Sequence, residues 1–179
     1  MFKLRKVAPL YSPTLVKLWL EHCTHYHGPG CYKGITAVHG MRLIDCVEME
    51  VVKSNPFWRW VALSYVWGTA QTNESTWSKT VMDTIKVTKE KCYRYLWVDK
   101  HCISQDDGAH KEEQIRNMHK IYQGAGLTIV AASGNSMHAD IEGVSIERRG
   151  QSSVGHNEYV HPQNSPGFSP LVSLHKHSP

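Results

Sequence analysis

The sequence predicts an α/β fold with a parallel central sheet flanked by helices. Strand-like segments at 58–66, 95–98 and 127–132 alternate with helix-period segments at 80–91 and from Glu112 to Tyr122. The last strand, Leu127-Thr128-Ile129-Val130-Ala131-Ala132, is apolar on successive residues, as expected of a strand covered on both faces. In addition, Val61–Gly68 and Tyr95–Asp107 are apolar runs that stop in polar residues, each with a tryptophan (Trp67, Trp97) near the stop. A strand that only fills a core can be built from Val, Ile and Leu, so these two ends are built around something specific.

Ser12-Pro13 starts the first helix, with a hydroxyl to cap it and a proline at the first helical position. Leu15, Leu18, Trp19 and His22 share one face of that helix, and Gly28-Pro29-Gly30 ends it. Arg42–Val47 is a short strand. Trp58 to Val66, aromatic and β-branched, is the next, closed by Gly68-Thr69. Residues 69–79 are a polar loop. Val81, Ile85, Thr88 and Cys92 give the second helix its buried face. Tyr95–Val98 is a strand apolar on both faces, and 99–111 a polar loop. Glu112-Glu113 suit a helix N-terminus, with Ile115, Met118 and Tyr122 facing inward. Strand–helix–strand–helix–strand is the pattern of right-handed crossovers. The chain divides into an N-terminal helix with a Cys/His lead-in (1–35), a core (36–150) and a polar tail (151–179). That tail is rich in Ser, His, Pro and Gly and is expected to lack a core of its own.

Composition narrows the classes of function. The net charge is +4, with Lys and Arg interspersed among acids, so no basic stripe for nucleic acid is present. No apolar run approaches the ~20 residues of a membrane span. Pro9 and Ser12-Pro13 break up the segment after the basic N-terminus, leaving no signal-peptide core. Five cysteines, an odd number, fit free thiols in a reducing compartment, and the expected location is cytoplasmic.

Ligands of open parallel sheets bind beyond the carboxyl ends of the strands. Here those ends carry Trp67-Gly68-Thr69, Asp99-Lys100-His101-Cys102 and Ser133-Gly134-Asn135. Two readings stand: a ligand edge, or Asp99 capping a loop while both tryptophans fill the core. His101 beside Cys102 could act as a nucleophilic dyad only in a bent loop, because neighbours on an extended segment point opposite ways. Cys23, His27 and Cys31, four residues apart, are candidate zinc ligands, with His39 or Cys46 as further donors. The alternative is buried thiols and a helix-end histidine. No phosphate loop or dinucleotide fingerprint occurs.

The blocks at 61–68 and 95–107, with Glu113–Tyr122 and Ala125–Ala132, resemble the three signature segments of the fungal heterokaryon-incompatibility (HET) domain. The pattern runs Leu-Ser-Tyr-x-Trp-Gly, then Tyr-Leu-Trp-x-Asp-x-x-Cys-Ile-x-Gln, then a helix with Met and Ile-Tyr leading into Thr-Ile-Val-Ala-Ala. The resemblance covers roughly 13–150. It departs where the family has a Leu-Gly pair before the second block and this chain has Lys91-Cys92. It implies self/non-self recognition and programmed cell death through protein partners or self-association, without a cofactor. Ser64, Tyr65, Trp67, Gly68, Trp97, Asp99, Cys102 and Gln105 are the motif residues it singles out. A distant likeness to Toll/interleukin-receptor (TIR) domains implies a flavodoxin-like sheet with the Leu63-Ser64-Tyr65 strand central. It also implies an alternative activity, NAD cleavage, for which Glu113 and Glu142 are the candidate carboxylates. Because the family's members are often much longer, an inactive fragment is the other alternative.

Overall fold

The structure is a computed structural model. It describes residues 8–27, 38–67, 77–132 and 140–148, and the backbone of 173–175. Gly68, Cys31, Ser133, Gly134 and Asn135, singled out from the sequence, lie outside them, as does the tail apart from 173–175.

Helix α1 (Pro13–His27) starts as the sequence predicts: the Ser12 hydroxyl accepts the Leu15 N–H at 3.2 Å. Its predicted face does not turn inward. Val16 is buried and Leu20 partly so, whereas Leu15, Leu18 and Trp19 are exposed. The segment before the helix fixes this orientation. Tyr11 N–H bonds Gly143 O at 2.7 Å, Arg148 N–H bonds Pro9 O at 2.9 Å, and Lys91 Nζ reaches Pro13 O.

Strands β1 (Arg42–Asp45) and β2 (Glu50–Lys53) form a hairpin. Asp45 shapes the turn. Its Oδ1 accepts the N–H groups of Val47 and Glu48 at 3.0 and 3.3 Å, and its Oδ2 receives Arg94 Nε at 2.8 Å. The Arg94 guanidinium holds the Asp45 carboxyl below the usual carboxylate range. β3 (Trp60–Tyr65) leads to α2 (Lys79–Glu90), capped by Ser78, and then to β4 (Tyr95–Val98). The predicted inner face of α2 is confirmed for Val81, Ile85 and Thr88, all buried, while Cys92 lies past the helix end and is exposed.

The loop predicted over 99–111 is partly helical. Asp99–Cys102 form a single turn, α3, and α4 runs Gly108–Gly124. The Asp107 side chain accepts His110 N–H at 3.0 Å and starts α4 four residues before Glu112, so the Glu pair is not its N-terminus. Its inward residues are Gln114 and Ile121, with Met118 and Tyr122 partly buried, whereas Ile115 is exposed. β5 (Leu127–Ala131) comes next. Gly126 enters it beside Tyr93, whose hydroxyl a Cβ at 126 would strike.

The sheet order is β2-β1-β4-β3-β5-β6, where β6 (Ser173–His175) is a three-residue strand from within the tail, antiparallel to β5. The sheet is therefore mixed rather than parallel. β4, β3 and β5 are parallel, but β1 joins β4 antiparallel, with Ile44 opposite Leu96. The sequence suggests a wholly parallel sheet because the strand–helix alternation covers only its second half. The hairpin ahead of it adds strands without a crossover helix. β3 is central among the parallel strands. From it α2 leads to β4 on one side, and α4 carries the chain across to β5 on the other. Right-handed crossovers in opposite directions put the two helices on opposite faces. Leu43, Ile44, Trp60, Val61, Leu63, Leu96, Trp97 and Ile129 form the core between them. No helix among the described residues is long and apolar enough to cross a membrane.

Candidate functional site

The carboxyl ends of β3 and β4 bring the two tryptophan-bearing blocks together. Trp67 Nε1 donates to Asp99 Oδ1 at 2.9 Å, and the Lys100 backbone N–H donates to the same oxygen at 2.7 Å. Neither donor is a charged side chain. Burial raises the Asp99 carboxyl above its ordinary value, and these two hydrogen bonds only partly offset it.

Two phenols flank Asp99. The Tyr65 hydroxyl is buried and has no hydrogen-bond partner among the described residues. Burial, then the Asp99 charge, pushes its pKa up. Tyr122 reaches the same region from α4. Its hydroxyl donates to Leu63 O at 3.3 Å, and burial with the Asp99 charge pushes it up to about 12. Its ring meets that of Trp97 edge-on, with centroids 5.3 Å apart. Trp97 is fully buried, with Nε1 unpartnered among the described residues. Ser64, Tyr65, Trp67, Trp97, Asp99 and Tyr122 thus form one cluster drawn from β3, β4 and α4. The sequence marks Tyr122 only as a core residue; a phenol within the apolar stripe of a helix is the signal it offers.

His101 and Cys102 do not form a dyad. The Cys102 thiol is enclosed by its own turn: Sγ accepts Val98 N–H at 3.4 Å and lies 3.9 Å from Leu96 O. Burial raises its pKa to about 12, so it is not a thiolate near neutrality. The His101 ring packs edge-on against Trp77 at 4.8 Å, and burial lowers its pKa to about 4. Gln105 is exposed and turns back on Ile103 O at 3.2 Å.

The two glutamates lie apart from this cluster. Glu113, on the second turn of α4, pairs with His39 at 3.3 Å. Glu142 is buried in the 140–148 turn, which Asp83 of α2 holds through Ile141 N–H at 2.7 Å and the Ser145 hydroxyl. At the end of α1, Cys23 Sγ lies 3.3 Å from His27 Nδ1. No group of three or more possible metal ligands occurs among the described residues. His39 and Cys46 are remote from that pair: His39 faces Glu113, and Cys46 is buried behind β1.

A mixed α/β domain whose signature aromatic residues and one half-buried carboxylate interlock at the carboxyl edge of a parallel trio is the class of protein this geometry defines. The family model described as heterokaryon incompatibility protein (HET) matches residues 60–176, and the chain belongs to that family. It is similar to heterokaryon incompatibility protein 6, OR allele, of Neurospora crassa, 32% identical over 110 residues that cover 49% of this chain and 16% of that protein. The chain thus spans a small part of the curated relative it matches. No solved structure matches it.

Proposed function

We propose that this chain is a self/non-self recognition module of the fungal cytoplasm, acting through protein interaction or self-association to trigger programmed cell death. One observation carries this reading beyond family membership. The signature residues hold one another (Trp67 to Asp99, Tyr122 to the Leu63 carbonyl and against Trp97), while the cysteine among them is locked as a thiol. Residues spent in this way stiffen the ends of β3 and β4 into a fixed surface, which recognition needs and nucleophilic catalysis does not supply. The test is expression in a fungal host with cell death scored. Wild type should kill, and Trp67→Ala and Asp99→Ala should not. Killing that survives both substitutions, in variants shown by circular dichroism to be folded, would overturn the proposal.

NAD cleavage at the nicotinamide–ribose bond is a second reading, favoured by Asp99 rather than by Glu113 or Glu142. Among the described residues both hydrogen bonds to its carboxylate fall on Oδ1, and a half-buried carboxylate with its second oxygen unpartnered among them can stabilise positive charge developing on a ribose. Water then adds to the ribose carbon as nicotinamide leaves. NAD loss should fall with Asp99→Asn and persist with Glu113→Ala and Glu142→Ala. An absence of NAD loss in wild type under assembly-promoting conditions would sink this reading.

A further inference from the structure

Helix α1 carries more apolar surface than the body of the protein covers. Val16 is the one buried residue of its 15, with Leu20 packed on the core beside it. An isolated helix of about this length is marginal in water, and packing of an apolar face ordinarily secures it. Here the larger apolar face points away from the body: Leu15, Leu18, Trp19 and Tyr26 are 43%, 54%, 56% and 68% exposed.

These exposed residues have coiled-coil spacing. Leu15, Leu18, His22 and His25 fall at alternating three- and four-residue steps, the a and d positions of a heptad seam, and Trp19 and Tyr26 lie along one rim. The His22 and His25 rings rest against Tyr26, with centroids 4.2 and 4.8 Å apart, so the C-terminal half of the seam is an aromatic surface. The N-terminal half is two leucines and an indole. On the other rim stands Glu21, the only acid on the helix, and Lys17 of the same helix pairs with it at 3.8 Å. No net charge therefore borders the seam.

The two halves complement each other when two copies of the helix run antiparallel. A dyad at Leu20 sets Leu15 against the partner's His25 and Leu18 against the partner's His22, and the two Trp19 rings meet on one rim beside the dyad. Parallel pairing would put histidine on histidine and align the helix dipoles, which antiparallel pairing opposes. The antiparallel contact buries on the order of 1,000 Å² over both copies, the low end of specific interfaces. That area suits a contact made as chains are concentrated, not a permanent dimer.

We infer that the outer face of α1 is a homodimer interface, in which a second copy of this chain docks antiparallel over Leu15, Leu18, Trp19 and Tyr26. The interface gives the self-association of the recognition reading a surface, and rests on that reading only for its use in the cell. It is built on a different element from the Trp67–Asp99 edge. At the dilution of a denaturation experiment the chain is monomeric, so Leu18 adds nothing to stability there.

Sedimentation velocity on the full, reduced chain tests this. The expected result is a monomer–dimer equilibrium with Kd on the order of 10–100 µM. Leu18→Lys and Trp19→Lys, in variants shown by circular dichroism to be folded, should each weaken it about tenfold or more. Phe57→Lys alters an apolar side chain that is 90% exposed off this helix and should leave Kd unchanged. Mixed chains carrying Leu18→Cys in one and His22→Cys in the other, with Cys23, Cys31 and Cys92 replaced by serine, should cross-link on oxidation more readily than either alone. A chain that stays monomeric at several hundred micromolar would overturn the inference, as would a dimer indifferent to both lysine substitutions or equally weakened by Phe57→Lys. A monomer whose Trp19 fluorescence shifts to the blue only on phosphatidylserine–phosphatidylcholine vesicles would overturn it too, giving the face to a membrane surface. Because purified chain is measured without reference to killing, failure here leaves the cell-death assay to decide the recognition reading.

Discussion

Trp67 and Asp99, 32 residues apart in the chain, are joined by a 2.9 Å hydrogen bond that ties the exit of β3 to the exit of β4. The acceptor is a carboxylate partly withdrawn from water, which makes the bond stronger than a neutral one. Trp67→Phe should lower stability by about 1–2 kcal/mol in urea denaturation. A double-mutant cycle with Asp99→Leu should give a coupling of about 1 kcal/mol. A coupling near zero would mean that the bond holds nothing.

The buried imidazole at His101 sets an acid sensitivity. Its folded pKa is lowered to about 4 from 6.5, so between these values the unfolded chain binds the proton and the folded chain does not. Its contribution to stability is complete above pH 6.5 and is lost as the pH falls toward 4. The ring is partly solvated, so the loss should be on the order of 1 kcal/mol. His101→Phe keeps a ring against Trp77 and should flatten stability measured from pH 7 to 4. Asp99 works in the opposite sense: its raised carboxyl pKa means that acid favours the folded state as the pH falls toward 3.8.

Cys92 should be replaceable to advantage. It has φ 60°, and the α2 terminus around it is a Schellman motif: Cys92 N–H bonds Lys89 O at 3.0 Å and Tyr93 N–H bonds Thr88 O at 3.1 Å. This is where the family pattern places glycine. Cys92→Gly should therefore stabilise by about 1 kcal/mol. That corresponds to a rise in Tm of ~2–4 °C, with no such gain for Cys92→Ala.

The two faces of the N-terminal half should respond very differently to truncation. Leu43→Ala, in the core, should cost about 2–5 kcal/mol. Leu18→Ala, on the exposed side of α1, should stay within about 0.5 kcal/mol. Equal losses would show that the α1 face is covered in solution.

The parallel trio was legible because Val61–Leu63, Leu96–Val98 and Ile129–Ala131 are apolar on successive residues, a pattern expected of strands covered on both faces. β2 was not legible. Glu50-Val51-Val52-Lys53 is four residues at an exposed edge, with nothing to impose alternation. The α1 face misled because its apolar residues have helical period yet point outward. Periodicity reports which residues share a side, and the contacts made by residues 8–13 decide where that side turns. On α4, Gln114 is buried because its amide donates to His39 O at 2.8 Å, a tertiary contact that outweighs the apolar claim of neighbouring Ile115. At the site, Trp67 and Asp99 were visible as unusual residues at strand ends. Their bond was not, because it depends on the turn that Asp99–Cys102 make.

The antiparallel pairing of β1 with β4 bears on where this domain can be cut. The family match begins at Trp60, beyond the β1–β2 hairpin, yet Leu43 and Ile44 are fully buried and Ile44 lies opposite Leu96. A fragment trimmed to the matched boundary would leave the outer edge of β4 with free N–H and C=O groups beside an uncovered apolar surface, a template for aggregation. Expression designs for this domain should therefore begin ahead of Val38, so that the hairpin travels with the sheet it closes.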